Sequence, residues 1–185
     1  PGGLVNQLDG LASLSFNNSL SLVTLTAPQL AAIVEHGVAA TVPGATPGQF
    51  PQISGMRFSF NPSLPLAERL RSLAVVDESG AVIDRVVENG ALVGDPSRTF
   101  RMVTLGFLAE GGDGYPFPKG PAAERVDLLG SDLLPDGEQT FAEKGSEQDA
   151  FAEYLIAHYN AVPFDLAETP AAEDFRIQNL SARDD

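Results

Sequence analysis

Apolar and polar positions along the chain alternate with two different periods, and the changes of period mark the elements. Ser19 to Thr26 reads SLSLVTLT, a run rich in β-branched residues and leucine, bounded by Asn17-Asn18 and Pro28, and it predicts a strand. Its alternation passes from Leu20 and Leu22 to Val23 and Leu25, so either both faces are covered or a bulge intervenes. Thr26-Ala27-Pro28-Gln29 then has capping-box spacing with proline in the first turn. Leu30, Ile33, Val34 and Val38 follow at helical spacing, predicting a helix from about Ala27 to His36 stopped by Gly37. Residues 41–51, TVPGATPGQFP, are loop by their prolines and glycines.

Met56, Phe58 and Phe60 alternate with Arg57 and Ser59, predicting a strand with one polar face that ends at Asn61-Pro62. Phe50, Phe58 and Phe60 are core candidates, and Arg57 on the opposite parity is expected to be exposed or at a domain interface. Leu73 to Val76 and Ala81 to Val87 flank Asp77-Glu78-Ser79-Gly80 and predict a hairpin. Thr99 to Phe107 reads as a further strand. Residues 111–147 show little periodicity beyond Val126, Leu128 and Leu129, and predict a short helix or none. Ser146 caps a helix from Glu147 to about Asn160, with Phe151, Tyr154, Leu155 and Tyr159 on one face and Pro163 ending it. Residues 1–14 read as a linker remnant. The acidic segment from Asp165 leads to Phe175-Arg176-Ile177 and an expected frayed tail over 178–185. Strands and helices mix without a regular βαβ alternation, so the expected class is α+β, in one domain.

Composition narrows the function classes. The chain has 185 residues, 43% apolar and 19% charged, enough for a core. No run approaches the roughly 18 apolar residues of a membrane helix, and no signal-peptide pattern is present, so no membrane insertion is expected. Twenty-five acidic against 11 basic residues give a net charge of −14, which would repel a nucleic-acid backbone or an anionic membrane. There are no cysteines and two histidines, which removes thiolate sites and leaves little for an imidazole-rich metal centre. His36 and His158, each near a helix end, read as capping or surface residues. A nucleophile elbow, a P-loop, an H-E-x-x-H pair and a calcium loop are all missing from the sequence.

One stretch has chemistry suited to a ligand. Residues 106–117 read GFLAEGGDGYPF. A nucleoside offers a flat base, on which an aromatic ring stacks for about 1–3 kcal/mol, and a ribose diol whose hydroxyls a carboxylate can accept. Phe107 and Asp113, separated by a glycine loop, could supply one of each. The other reading is a turn in which Asp113 bonds its own backbone and Phe107 belongs to the core. Tyr115 and Phe117 are open in the same way, as a pocket rim or as loop anchors.

Three ordered segments resemble the C-terminal domain of the 5′-nucleotidase family. SFNNSLSLVTLTAPQLAAIVEHG (15–37) resembles its PF-x-N motif, strand and LTG-x-L helix start. FPQISGMRFSF (50–60) is similar to its FPQ-x-SG-x-R-F-x-F strand, and GFLAEGGDGY (106–115) to its F-L-A-x-GGDG-aromatic motif. Phe175-Arg176-Ile177 falls where the family ends in G-R-I. The resemblance implies a four-layer α/β/β/α fold and a division of labour. An N-terminal metallophosphoesterase domain with divalent metal ions hydrolyses the phosphate ester, and the C-terminal domain binds the nucleoside part of the nucleotide. It puts Phe16, Asn18, Phe107 and Asp113 at the substrate: the two rings sandwich the base and Asp113 binds the ribose hydroxyls. It implies an extracellular or periplasmic setting. It assigns no catalytic or metal-binding residue to this chain, whose sequence holds neither the metal domain nor the N-G-G-x-I-R motif.

Ser15 replaces the family's proline, while Phe16 and Asn18 stand. With −14 on the chain, a nucleotide's phosphate would have to be held by metals and arginines of the other domain. Two further readings follow: a diverged spacer or interaction domain of a large secreted protein, and the substrate domain of a UDP-sugar hydrolase or cyclic-nucleotide phosphodiesterase.

Overall fold

A computed structural model of the protein describes residues 4–45, 47–135, 137, 140–162, 164, 170 and 173–182. The chain divides into two compact units. The first comprises Pro1–Thr24, Arg101–Gly112 and Lys119–Glu168, and the second Leu25–Phe100, Asp113–Pro118 and Thr169–Asp185. In chain order the elements are α1 (Gln7–Ser13), β1 (Leu20–Thr26), α2 (Ala27–Ala39), β2 (Met56–Phe60), β3 (Leu70–Val76), β4 (Val82–Glu88), β5 (Ala91–Leu92), β6 (Thr99–Leu105), α3 (Gly106–Ala109), β7 (Val126–Asp127), α4 (Glu147–Tyr159) and β8 (Ile177–Asn179). The α+β class is the observed one.

In the first unit, residues expected to be a linker form α1. A capping box starts it: the Asn6 side chain accepts from the Leu8 N–H at 2.8 Å, and the Asp9 carboxylate accepts from the Asn6 N–H at 2.9 Å. Seven residues are too few for a helix to persist alone in water, and its contact with α4 supplies the missing stabilisation. β1 lies between β6 and β7 in a three-stranded sheet. Its burial alternates cleanly, with Ser21, Val23 and Leu25 buried and the residues between them half-covered, so there is no bulge and both faces carry neighbours. β7 pairs antiparallel with β1 through Ser21↔Asp127 and Leu22↔Val126. It lies in the stretch expected to hold a short helix at most, because two residues leave no period to read.

Ser146 caps α4 as expected, accepting from the Asp149 N–H at 3.3 Å. The packed face differs from the predicted one: Gln148 and Asp149 are buried, whereas Tyr154 is 48% exposed. Polar side chains with internal partners displace an aromatic here, since Asp149 accepts from the Thr140 hydroxyl at 2.6 Å and from the Gly145 N–H at 3.2 Å. The predicted stop at Pro163 and the start of the acidic segment at Asp165 lie outside the described residues.

The second unit is built on a five-stranded sheet in the order β5-β4-β3-β2-β8. The predicted hairpin is present as β3 and β4. The Asp77 carboxylate closes its turn by accepting from the Ser79 and Ala81 N–H groups. β2 is an interior strand between β3 and β8, so its polar parity is not solvated: Ser59 is buried and bonded to Ser72, hydroxyl to hydroxyl, at 2.7 Å. Arg57 is half-buried for the same reason. The tail expected to fray from residue 178 instead forms β8, parallel to β2 with Phe58↔Ile177 and Phe60↔Asn179 in register. Residues 183–185 lie outside the described residues.

α2 contacts β3, β4 and β5. Leu30, Ile33, Val34 and Val38 are buried, as are Phe58, Phe60, Leu73 and Val86 of the strands. Each such side chain contributes about 1.5–3 kcal/mol by leaving water. The helix runs three residues past His36, through Gly37. A Cβ on Gly37 would lie 2.8 Å from Pro51 Cδ and 2.9 Å from the Tyr115 hydroxyl, so glycine is there for close packing, not to end the helix. The C-terminal carbonyls are satisfied by Arg69, whose guanidinium donates to Ala39 O at 2.6 Å and Thr41 O at 3.0 Å.

Candidate functional site

Phe16 sits on the turn between α1 and β1. Its ring is 89% exposed, although burial of a phenylalanine is worth about 2–3 kcal/mol. The turn is fixed at its base. Asn17 adopts φ of +44° and donates from its N–H to Leu14 O at 3.0 Å. Asn18 donates from its backbone N–H and its side-chain amide to Glu147 Oε1, at 2.7 and 3.0 Å, and its carbonyl accepts from the Glu147 N–H at 2.9 Å. Gln148 Nε2 donates to Leu14 O at 2.8 Å. The Asn18 amide is therefore committed to the start of α4.

β6 ends at Leu105, two residues before the predicted end, and Gly106-Phe107-Leu108-Ala109 forms the single turn α3. The change of conformation occurs where the Gly106 N–H donates to Ser19 O at 2.7 Å. That bond joins the Phe107 segment to the residue at which the Phe16 turn enters β1, so both phenylalanine segments leave the same end of β1. The Phe107 ring is 49% exposed and not in the core. Gly112 lies against it: a Cβ there would collide with ring atoms of Phe107, so residue 112 has to be glycine for the ring to keep its place.

The C-cap of α3, Glu110, pairs with Arg125 at 3.3 Å. Arg125 also pairs with Asp127 at 2.7 Å, and Asp127 accepts from the fully buried Ser21 hydroxyl at 2.7 Å. The Ser21 bond, followed by Arg125, holds the Asp127 carboxyl below its ordinary value of 3.8. The sequence reading did not single out Glu110, Arg125, Asp127 or Glu147. They are charges scattered over irregular stretches, and no local pattern announces their pairing.

The remaining candidates belong to the second unit. Asp113 has φ of +52°, a left-handed conformation uncommon outside glycine though less so for aspartate. Its side chain is exposed, and its carboxylate has no hydrogen bond or ion pair among the described residues, so it does not bond its own backbone. What holds the residue is its carbonyl, which accepts from His36 Nε2 at 2.9 Å and thereby requires the proton on that nitrogen. His36 is thus a latch for the loop instead of a surface or capping group, a role visible only once α2 and the loop are brought together.

Tyr115 and Phe117 are buried, at 6% and 5%, and their rings lie 6.1 Å apart. The Tyr115 hydroxyl donates to Gln49 O at 2.6 Å, and its ring meets His36 edge-on at 4.8 Å. Their packing supports the anchor reading of the two. Burial, and after it the charge of Asp113, pushes the Tyr115 hydroxyl up to about 12. His158, by contrast, is exposed and stacks with Tyr154 and Tyr159. Among the described residues no group of three His, Asp or Glu could hold a metal ion, and no helix is long and apolar enough to cross a membrane.

Comparison with known proteins bears on these segments directly. The chain is 26% identical over 114 residues to "Protein 5NUC" of Lutzomyia longipalpis, covering 61% of this chain and 19% of that protein. It is 28% identical over 102 residues to the trifunctional nucleotide phosphoesterase protein YfkN of Bacillus subtilis (strain 168), covering 55% of this chain and 6% of that protein. It therefore spans a fifth or less of the length of these curated relatives. Among solved structures, a 5′-nucleotidase precursor from Thermus thermophilus superposes with a TM-score of 0.65 at 26% identity, over 92% of this chain and 27% of that one. A family model described as "5′-nucleotidase, C-terminal domain" matches residues 1–120, a span that includes the Phe16 turn, α2 and the whole of GFLAEGGDGYPF. The chain belongs to the 5′-nucleotidase C-terminal domain family.

Proposed function

We propose that this chain is the nucleoside-binding part of a 5′-nucleotidase-like phosphohydrolase. Phe16 and Phe107 stack on the base, and Asp113 accepts hydrogen bonds from the ribose hydroxyls. Asn18 serves the site through the Phe16 turn, and Tyr115 and Phe117 serve it by anchoring the loop that follows Asp113. Hydrolysis of the phosphate ester belongs to a metallophosphoesterase domain preceding this one in the same polypeptide. The divalent ions of that domain would polarise the phosphate and supply an activated water. The setting we propose is extracellular or periplasmic.

The observation that carries this reading is the exposure of both phenylalanines on segments tied to one end of β1. A lone exposed ring needs no explanation. Two rings, each fixed at its base and neither buried, are suited to a flat ligand that covers both. The Asp113 carboxylate, unpaired among the described residues, adds an acceptor. The net charge of −14 supports leaving the phosphate to the other domain, because nothing overall here would offset its repulsion.

Calorimetric titration of the chain with adenosine and with adenine tests these roles separately. Phe16→Ala and Phe107→Ala are each expected to weaken adenosine by about 5- to 150-fold, the equivalent of about 1–3 kcal/mol per stacked face. Asp113→Asn should weaken adenosine and leave adenine unchanged. Equal affinity of wild type and both alanine variants for adenosine would overturn the assignment.

A further inference from the structure

The family match ends at residue 120, yet both phenylalanine segments are held by side chains from beyond it. Glu147, the first residue of α4, receives two N–H bonds from Asn18 on one carboxylate oxygen, at 2.7 and 3.0 Å, and returns its own N–H to Asn18 O. Gln148 holds Leu14 O on the other side of the same turn. Arg125 bridges Glu110 at the end of α3 to Asp127, which the buried Ser21 hydroxyl holds in turn. Neither phenylalanine segment is self-supporting. The Phe16 turn contains a left-handed Asn17, and α3 is one turn long, far below the length at which a helix survives alone.

We infer that Glu147 and Arg125 are positioning residues for the nucleoside site, Glu147 for the Phe16 ring and Arg125 for the Phe107 ring. This rests on the reading of Phe16 and Phe107 as stacking groups, but the positioning itself can be measured without a ligand. Each clasp is specific to one ring. The two differ in pairing and exposure: the Asn18–Glu147 contact is a pair of part-buried hydrogen bonds from neutral donors, whereas Glu110–Arg125 is a hydrogen-bonded ion pair whose carboxylate partner is 71% exposed and open to screening by salt. Adenosine is uncharged, so screening by salt acts on its affinity through the protein's own charges, and the Arg125→Gln comparison isolates the share carried by this pair.

The chain contains no tryptophan, so Phe16→Trp and Phe107→Trp each create a single tryptophan reporter, excited at wavelengths where the three tyrosines do not absorb. Fluorescence anisotropy of the reporter at 16 should fall when Glu147→Ala is added, and recover with Glu147→Gln, which keeps the acceptor oxygen. Anisotropy of the reporter at 107 should fall with Arg125→Gln and be unmoved by Glu147→Ala. Loss at both positions from either substitution would indicate general loosening, and loss at neither would show that the rings need no clasp; both results overturn the inference. Should Glu147→Ala fail to fold by circular dichroism, the Arg125→Gln arm decides, since glutamine keeps an amide donor at that part-buried position.

In the otherwise unaltered chain, Glu147→Ala and Arg125→Gln should each weaken adenosine by about three- to tenfold. Added salt should weaken it by up to about fivefold in the wild type and not in Arg125→Gln. A wild type that binds no adenosine would defeat the proposed function and leave the clasps to be judged on anisotropy alone.

Discussion

Replacing Gly37 with alanine opposes two effects of known size. In a helix interior, glycine to alanine gains about 0.8–1 kcal/mol of intrinsic propensity, so a reading of the helix alone predicts stabilisation. The surroundings of Gly37 predict the opposite. The new methyl would lie 2.8 and 2.9 Å from Pro51 Cδ and Cγ and 2.9 Å from the Tyr115 hydroxyl, closer than carbon contacts allow. Pro51 is a rigid ring and Tyr115 is fixed by its bond to Gln49 O at 2.6 Å, so neither neighbour yields cheaply. Overpacking costs about 1–3 kcal/mol, and displacing the tyrosine hydroxyl loses a part-buried hydrogen bond worth about 1 kcal/mol more. The net expectation is destabilisation by about 2 kcal/mol, read as a urea midpoint lower by about 1 M for a slope of about 2 kcal/mol/M. Ala32→Gly, at an exposed position of the same helix, is the propensity control and should cost about 1 kcal/mol. Combining Gly37→Ala with Tyr115→Phe should recover the part of the loss that comes from the hydroxyl clash. A higher midpoint for Gly37→Ala than for wild type would refute the packing argument and show that helix propensity outweighs the contacts at this position.

Two further outcomes follow from the same unit. Tyr115 titrates at about 12, so its phenolate absorbance should be delayed relative to an unperturbed tyrosine and absent from Tyr115→Phe. A raised value means that the neutral hydroxyl's contribution to stability is complete below pH 10 and is lost between pH 10 and about 12; a wild-type-minus-variant difference curve centred at pH 10 would exclude it. Arg69→Met keeps the apolar stem but leaves Ala39 O and Thr41 O without their charged donor. It should cost about 2 kcal/mol by urea unfolding, and a loss below about 0.5 kcal/mol would mean that water replaces the cap.

The elements readable from sequence were those whose signals are local. β1, β2 and the β3–β4 hairpin carry alternation and turn residues, and α2 and α4 carry caps at Thr26 and Ser146. Each of these patterns is produced by contacts within a few residues. α1, α3, β7 and β8 were not readable, because two to seven residues hold no period and are stable only through what they dock on: α4, Ser19 O, β1 and β2. The same division runs through the candidate site. Sequence by itself singled out Phe16, Phe107 and Asp113 as side chains of a type that suits a nucleoside, and their motifs pointed to the family. Only the tertiary structure decided their state: both rings exposed, the Asn18 amide committed to Glu147, Asp113 held by its carbonyl, and Tyr115 and Phe117 buried. Burial and partnership are set by residues up to about 130 positions away in the chain, and a sequence pattern carries no information over that distance until the fold has closed it.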